Sequence, residues 1–227
     1  MKGYYQEKLA SEKLLKVYEI APPRVRQYLN SELDFVLEKI SKDDVVLDLG
    51  CGYGRIIPEL ARRAKFVVGI DMSFASLILG KQILTRISNH QLAQMNAINL
   101  SFLSSVFDKV ICIQNGISAF HVDQRNLIRE SIRVTRPEGT ILYSTYSDKF
   151  WNCRLHWFQL QAEAGLLGEI DYEKTGNGVI VCNDGFQATT VNPAQFMELT
   201  KEFDVQTTIV ELDESSVFFE MRKNVPQ

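Results

Sequence analysis

Four residues near position 50 have the types and spacing to hold a ligand. Asp48, Gly50, Gly52 and Gly54 lie in Val45-Val46-Leu47-Asp48-Leu49-Gly50-Cys51-Gly52-Tyr53-Gly54-Arg55. Glycine admits positive φ and lets a ligand approach the backbone. Free N–H groups at the start of a following helix favour a negatively charged group. The dinucleotide pattern Gly-x-Gly-x-x-Gly is not met, because the third glycine comes one place early and Arg55 takes its position. Asp48 would also repel a pyrophosphate, so a ligand with a cationic end fits better. A second carboxylate, Asp71, follows the apolar run Lys65–Ile70 and can accept two hydrogen bonds. Later, Gln114 and Asn115 end another apolar run, and His121 follows. Histidine titrates near neutrality, so His121 is the candidate general base; the alternative is a surface or helix-start histidine. Trp151 and Trp157 sit in an aromatic stretch that either packs a lid or stacks on a planar or cationic acceptor. Tyr4, Tyr5 and Tyr18 either pack locally or belong to an arm that folds over the ligand.

The elements that must carry these residues alternate. Ser11–Ile20 and about Arg24–Ile40 read as helices broken by Ala21-Pro22-Pro23, the second with Val25, Tyr28, Leu29, Leu33, Val36, Leu37 and Ile40 on one stripe. Val45–Leu49 is β-branched and apolar on both faces, as a buried parallel strand should be. A helix over Arg55–Ala64 tolerates Pro58 in its first turn. Strand 65–70, a helix from Ser73 and a weak strand at Gln91–Met95 come next, and Ser101–Val106 is uncertain in type. Asp108–Ile113 is a fourth strand, Asp123–Val134 a helix, Arg136-Pro137-Glu138-Gly139 a turn, and Thr140–Tyr146 a fifth strand. This alternation predicts a Rossmann-like α/β fold, with a mostly parallel sheet and helices on both faces.

After residue 147 the pattern changes. Phe150–Leu167 reads as a helix. Glu169–Glu173 and Val179–Asn183 read as a hairpin around Gly176-Asn177-Gly178, and Phe186–Val191 adds a strand. Asn192-Pro193 starts a helix to about Phe203, with a cap followed by proline. Val205–Leu212 and Val217–Arg222 are joined by Asp213-Glu214-Ser215, a link that forces antiparallel pairing. Seven sheet strands are therefore expected, the last two an antiparallel hairpin. The organisation expected is a helical arm (1–40), a ligand-binding core (41–147), a small lid insertion (148–191) and a C-terminal helix with hairpin (192–227).

The 227 residues are 45% hydrophobic and 23% charged, which suits one elaborated domain with a sizeable core. A net charge of −3 argues against a general nucleic-acid binder. Cys51, Cys112, Cys153 and Cys182 form no CxxC pair, so neither disulfides nor a metal site are expected. Residues 1–8 hold no apolar core and no run reaches the ~20 residues of a membrane span, so a cytoplasmic location is expected.

As a set these motifs resemble the class I S-adenosylmethionine-dependent methyltransferases. Asp48 with Gly50, Gly52 and Gly54 matches their first motif, Asp71 closes the second strand, and Phe107-Asp108-Lys109-Val110-Ile111 matches the fourth-strand motif. Arg136-Pro137-Glu138-Gly139-Thr140 resembles their Pro-Gly-Gly turn, with Glu138 replacing a glycine. The resemblance spans about residues 40–147 and, more weakly, the C-terminal hairpin. It implies S-adenosylmethionine as cofactor. The glycine loop would then lie along the methionine part, with Asp48 near its ammonium and Gln114 beside it. Asp71 would bind the ribose hydroxyls, Met72 would pack on adenine, and Asn96-Ala97 would meet the adenine amino group. The Asn/Asp-Pro-Pro-Tyr/Phe motif of adenine and glutamine-amide methylation is absent at Gln114-Asn115-Gly116-Ile117. The small-molecule branch is therefore favoured, with Tyr5, Asn115, Trp151 and Trp157 as acceptor-side candidates. A monomer or homodimer acting on a small molecule is expected, without nucleic acid or membrane. The alternatives are an NAD(P)-dependent oxidoreductase, an RNA or protein methyltransferase, or a non-catalytic cofactor-binding protein.

Overall fold

The computed structural model describes Tyr4 and residues 8–224. Its strands are β1 (Val45–Leu49), β2 (Phe66–Asp71), β3 (His90–Gln94), β4 (Phe107–Cys112), β5 (Thr135–Tyr146), β6 (Ile180–Val181), β7 (Gln187–Ala188), β8 (Val205–Leu212) and β9 (Ser216–Lys223). Seven of them form one sheet in the order β3-β2-β1-β4-β5-β9-β8, while β6 and β7 pair apart from it. Strands β1 to β5 are parallel, and β9 runs antiparallel to both β5 and β8. This is the sheet the sequence predicts, with the hairpin reversed so that β9 lies inside and β8 forms the edge.

The helices are α1 (Glu12–Glu19), α2 (Pro23–Glu38), α3 (Ile57–Arg63), α4 (Phe74–Ile83), α5 (Gly116–Ala119), α6 (Gln124–Val134), α7 (Trp151–Glu163) and α8 (Pro193–Thr200). Successive strand residues point to opposite faces. Leu47, Ile70, Val110, Tyr143 and Phe219 therefore share one core with Leu127 and Ile128 of α6 and Phe196 of α8. Val46, Val67, Ile111, Leu142 and Phe218 share the other with Val36 of α2, Ile57 of α3 and Leu77 of α4. A third core lies beyond the sheet and joins the arm to the insertion: Leu9, Val17, Val25 and Tyr28 pack with Phe150, Trp157, Phe158, Ile180 and Phe186. The arm and the insertion thus make one cap.

Three local readings change. The helix predicted to reach Leu167 stops at Glu163, because Gly165 adopts φ +68° and closes it. Leu166 N–H donates to Gln161 O and Gly165 N–H to Ala162 O, the paired bonds of a Schellman end. The hairpin at 169–183 is reduced to a bridge between Ile170 and Cys182 around the predicted tight turn, where Gly176 and Val179 exchange both backbone bonds. Asp171 accepts the Glu173 and Lys174 N–H groups and bends the first arm out of register. The turn at 136–139 lies inside β5: pairing runs Phe107 with Thr135 and resumes at Lys109 with Thr140. Glu138 takes the positive φ, +62°, a conformation that favours glycine.

Candidate functional site

The glycine loop leaves the C-terminal end of β1 and is tied to β2. Gly50 and Cys51 N–H both donate to Ile70 O, at 2.8 and 2.9 Å. Asp71 grips the loop from the other side, accepting Gly52 N–H at 2.9 Å and Ser73 N–H at 2.7 Å. Burial raises its pKa, and those backbone donors oppose the rise. Gly52 has φ +57°, and a Cβ there would lie 2.9 Å from Leu14 Cδ2. At Gly50, φ +75°, a Cβ would meet the Phe120 ring at 2.5 Å. The loop is therefore held between α1 and the residue that follows α5, with no room for side chains. Helix α3 begins at Ile57, two residues later than predicted, because residues 52–56 form turns before it.

Under the loop lies a cavity of about 50 Å³, lined among others by Leu14, Tyr18, Asp48, Gly52, Arg55 and Gln114. Asp48 is 3% exposed and its Oδ2 has no hydrogen-bond partner. Burial pushes its pKa up to about 7, Arg55 opposes this, and Asp71 adds to it. Arg55 Nη2 is also buried without a partner, and its guanidinium lies 4.7 Å over the Tyr18 ring. Buried polar atoms are nearly always paired, so an unpaired acceptor and an unpaired donor lining one cavity point to a ligand. Together they suit a group carrying both an ammonium and a carboxylate.

The other predicted cofactor residues line up beside the loop. Met72 is 41% exposed next to Asp71, and its carbonyl is held by Gln94 Nε2 at 3.0 Å. Met95 N–H donates to Asp71 O, which brings the start of the Asn96-Ala97 turn to the end of β2. Asn96 Oδ1 accepts Ile98 N–H at 3.1 Å, so this acceptor already supports its own turn, and Ala97 is buried.

At the end of β4, Gln114 and Asn115 are both left-handed, φ +56° and +61°. Gln114 lines the loop cavity, and its Oε1 accepts the Tyr18 hydroxyl at 2.8 Å. Asn115 is 4% exposed with both ends of its amide engaged: Nδ2 donates to Thr189 O and Oδ1 accepts from Thr145 Oγ1. It ties β4 to β5 and the insertion, and does not present a free amide to an acceptor. His121 is exposed, at φ +50°, and lines neither this cavity nor the cleft described next. Trp157 corrects its acceptor-side reading, for it is 4% exposed and its indole donates to Val17 O at 3.1 Å, inside the cap core. Tyr5 lies outside the described residues. Tyr4 packs against the cap core, its hydroxyl bonded to Asp184 and its ring against Phe186.

Trp151 does line an open space. A cleft of about 810 Å³ beyond the end of β5 is bounded by Tyr146, Ser147, Asp148, Trp151, Asn177 and Thr189, among others. Arg154, 1% exposed, also lines the cleft; its guanidinium lies 4.6 Å over the Tyr146 ring and donates to Gly178 O and Ala188 O. The cleft offers hydroxyls, amides, one carboxylate and one guanidinium beside two aromatic rings, a lining for a polar and at least partly planar molecule.

Residues 46–139 match the family model described as a methyltransferase domain. This stretch of the chain is similar to a methyltransferase domain. A probable cobalt-precorrin-6B C(15)-methyltransferase (decarboxylating) of Methanocaldococcus jannaschii is 31% identical over 104 residues, 40% of this chain and 57% of that protein. A ubiquinone biosynthesis O-methyltransferase of Pseudomonas fluorescens is 34% identical over 104 residues, 44% of this chain and 43% of that protein. The chain thus spans about half the length of the curated relatives it matches. Among solved structures, the N-methyltransferase NodS of Bradyrhizobium japonicum, in complex with S-adenosyl-L-homocysteine, superposes with a TM-score of 0.65. It is 17% identical, over 98% of this chain and 99% of that one, so the likeness is one of fold. The matched region of the methyltransferase domain holds the glycine loop, Asp71 and β4, and leaves out the cap. No helix among the described residues is long and apolar enough to cross a membrane.

Sequence reasoning missed three parts of this arrangement. Arg55 read only as a departure from a dinucleotide motif, although a lone arginine directly after the third glycine was the available signal. Tyr146 and Thr189 carried no signal, because they meet only through the cap. Glu32 was passed over as a polar residue on the apolar stripe of α2, four places from Tyr28 and from Val36.

Proposed function

We propose that the protein transfers a methyl group from S-adenosylmethionine to a small polar acceptor. The observation that carries this reading is the unpaired couple of Asp48 Oδ2 and Arg55 Nη2 beneath the glycine loop. Asp48 would receive the ammonium of the cofactor and Arg55 its carboxylate, while Asp71 would accept from the ribose hydroxyls and Met72 would cover the adenine. A bound S-adenosylmethionine supplies a methyl group on sulfur that is displaced in line, with the thioether as leaving group. The residues of this chain then have to align and desolvate the partners. The acceptor belongs in the cleft beyond β5, with Trp151 and Tyr146 against its flat face and Asp148, Asn177 and Thr189 within its polar rim. His121 would enter as a base only after a rearrangement of the α5 segment. This reading carries a cytoplasmic protein, monomeric or homodimeric. The loop spacing and the buried Asp48 disfavour an oxidoreductase with a dinucleotide, whose phosphates Asp48 would repel.

The test combines binding and transfer. Calorimetry with S-adenosylhomocysteine is expected to show binding, and Asp71→Ala to weaken it by about tenfold or more, as for the loss of charge-assisted hydrogen bonds. Methyl-labelled cofactor incubated with a metabolite extract is expected to label a small polar product. Label in RNA or protein instead would overturn the acceptor class, and unchanged affinity of Asp71→Ala would overturn the placement of the ribose.

A further inference from the structure

Glu32 is 0% exposed on a helix whose buried face is otherwise apolar, and the reaction as described does not use it. Its two oxygens serve two strands. Oε2 accepts the Gln114 N–H at 2.9 Å, at the end of β4, and Oε1 accepts the Ser216 hydroxyl at the start of β9. The same Gln114 N–H is shared with Ser144 Oγ of β5 at 2.8 Å. Burial raises the Glu32 pKa to about 6, while the Ser216, Ser144 and Gln114 donors and nearby Arg55 oppose the rise. At neutral pH the group is therefore chiefly a carboxylate, which only accepts hydrogen bonds.

What it holds is unusual. Gln114 and Asn115 are consecutive non-glycine residues in the left-handed region. That conformation persists only where the surroundings over-determine it. Four elements supply the constraint here. Helix α2 contributes Glu32, α1 contributes Tyr18 on the Gln114 amide, β5 contributes Ser144 and Thr145, and the insertion contributes Thr189 O on Asn115. The corner so formed lines the loop cavity through Gln114 and reaches the wall of the acceptor cleft through Thr189.

We propose that Glu32 is a positioning residue of the cofactor site, fixing the Gln114–Asn115 corner so that docking of the arm shapes the cavity beneath the glycine loop. This rests on the reading of that cavity as the cofactor site. An apolar residue of the same length at position 32 would pack as well and would leave the Gln114 N–H to Ser144 alone. Glutamine would keep the corner: its carbonyl accepts from Gln114, and its NH₂ faces Ser216, whose hydroxyl can turn to accept.

The test measures S-adenosylhomocysteine affinity by calorimetry, with thermal melts to establish folding, for the wild type, Glu32→Met and Glu32→Gln. Glu32→Met is expected to bind about tenfold or more weakly, the equivalent of losing one buried hydrogen bond to a charged group. Glu32→Gln is expected to stay within about threefold of wild type. A role in packing alone would lower melting and leave affinity untouched, so a folded Glu32→Met within about twofold of wild type overturns the proposal. Glu32→Gln as weak as Glu32→Met overturns it too, since charge and not hydrogen-bond geometry would then be at work. Should Glu32→Met fail to fold, Ser216→Ala makes a smaller change at the other oxygen. An affinity about two- to fivefold weaker there supports the proposal, and an unchanged one rejects it. Wild-type protein that does not bind S-adenosylhomocysteine rejects the cofactor reading and this inference with it. Wild-type binding with an unaffected Glu32→Met rejects the inference alone.

Discussion

The surroundings of Asp48 disfavour its charged form. Burial pushes its pKa up to about 7, above the unfolded value of about 3.9, so the fold favours the neutral acid. Stability from this group is therefore full at low pH and is lost as pH rises through the window from about 4 to about 7. Asp48→Asn, which removes the buried charge at constant shape, is expected to melt above wild type at about pH 8, with the difference shrinking towards about pH 5. Thermal melts across that range check it, and a pH-independent difference would show that the carboxylate charge is not the cause. The same variant should bind S-adenosylhomocysteine less well, because the gain in stability comes from deleting a ligand contact. At this scale the loop was legible in the sequence, because Asp48, its glycines and Asp71 act through backbone only a few residues away. Arg55 and Glu32 were not, since a buried charge declares its role only when its neighbours in space are known.

The elements of the cap depend on bonds that cross from one segment to another. A helix leaves its last four carbonyls without internal partners. In α1 these are all met: Lys16 O by Ile20 N–H, Val17 O by the Trp157 indole, Tyr18 O by Ala21 N–H and Glu19 O by the Arg26 guanidinium. Helix α7 therefore secures the end of α1, and α1 in turn lies on the glycine loop through Leu14 against Gly52 and the Tyr18 ring against Tyr53. Trp157→Phe keeps the ring packing and removes the N–H. It is expected to destabilise the protein by about 1–3 kcal/mol, the range for a buried carbonyl left unpaired. Hydrogen exchange should rise first in residues 12–20 and leave β1 protected; equal acceleration in both would mean that α1 has no separate opening. Element boundaries were legible where local chemistry acts alone, as at the Asn192-Pro193 start of α8, whose capping box is present. They were misread where two signals compete. Gly165 ends α7 despite the aromatic run before it, and Asp171 breaks a strand that its apolar residues favour.

For the whole molecule, one sheet buries two cores and the cap buries a third against the carboxyl ends of its strands. A ligand that binds only this assembled arrangement must stabilise it by mass action. At about one hundred times its Kd, S-adenosylhomocysteine is expected to add about 2.7 kcal/mol, or about 5–11 °C in melting temperature for a chain of this size. Differential scanning fluorimetry checks this, and no shift at that concentration would remove the cofactor from the account. The sequence by itself determined the alternating α/β order, the seven-stranded sheet with its C-terminal hairpin and the ligand loop, because strand periodicity, glycine φ and helix caps act over a few residues. Only the tertiary structure decided how the arm and the insertion merge into one cap, which tryptophan lines the cleft, and how Glu32, Tyr18, Thr145 and Thr189 converge on the Gln114–Asn115 corner. Those contacts join residues from 30 to 96 positions apart. Such pairs leave no periodicity in the chain, and the packing of three cores brings them together.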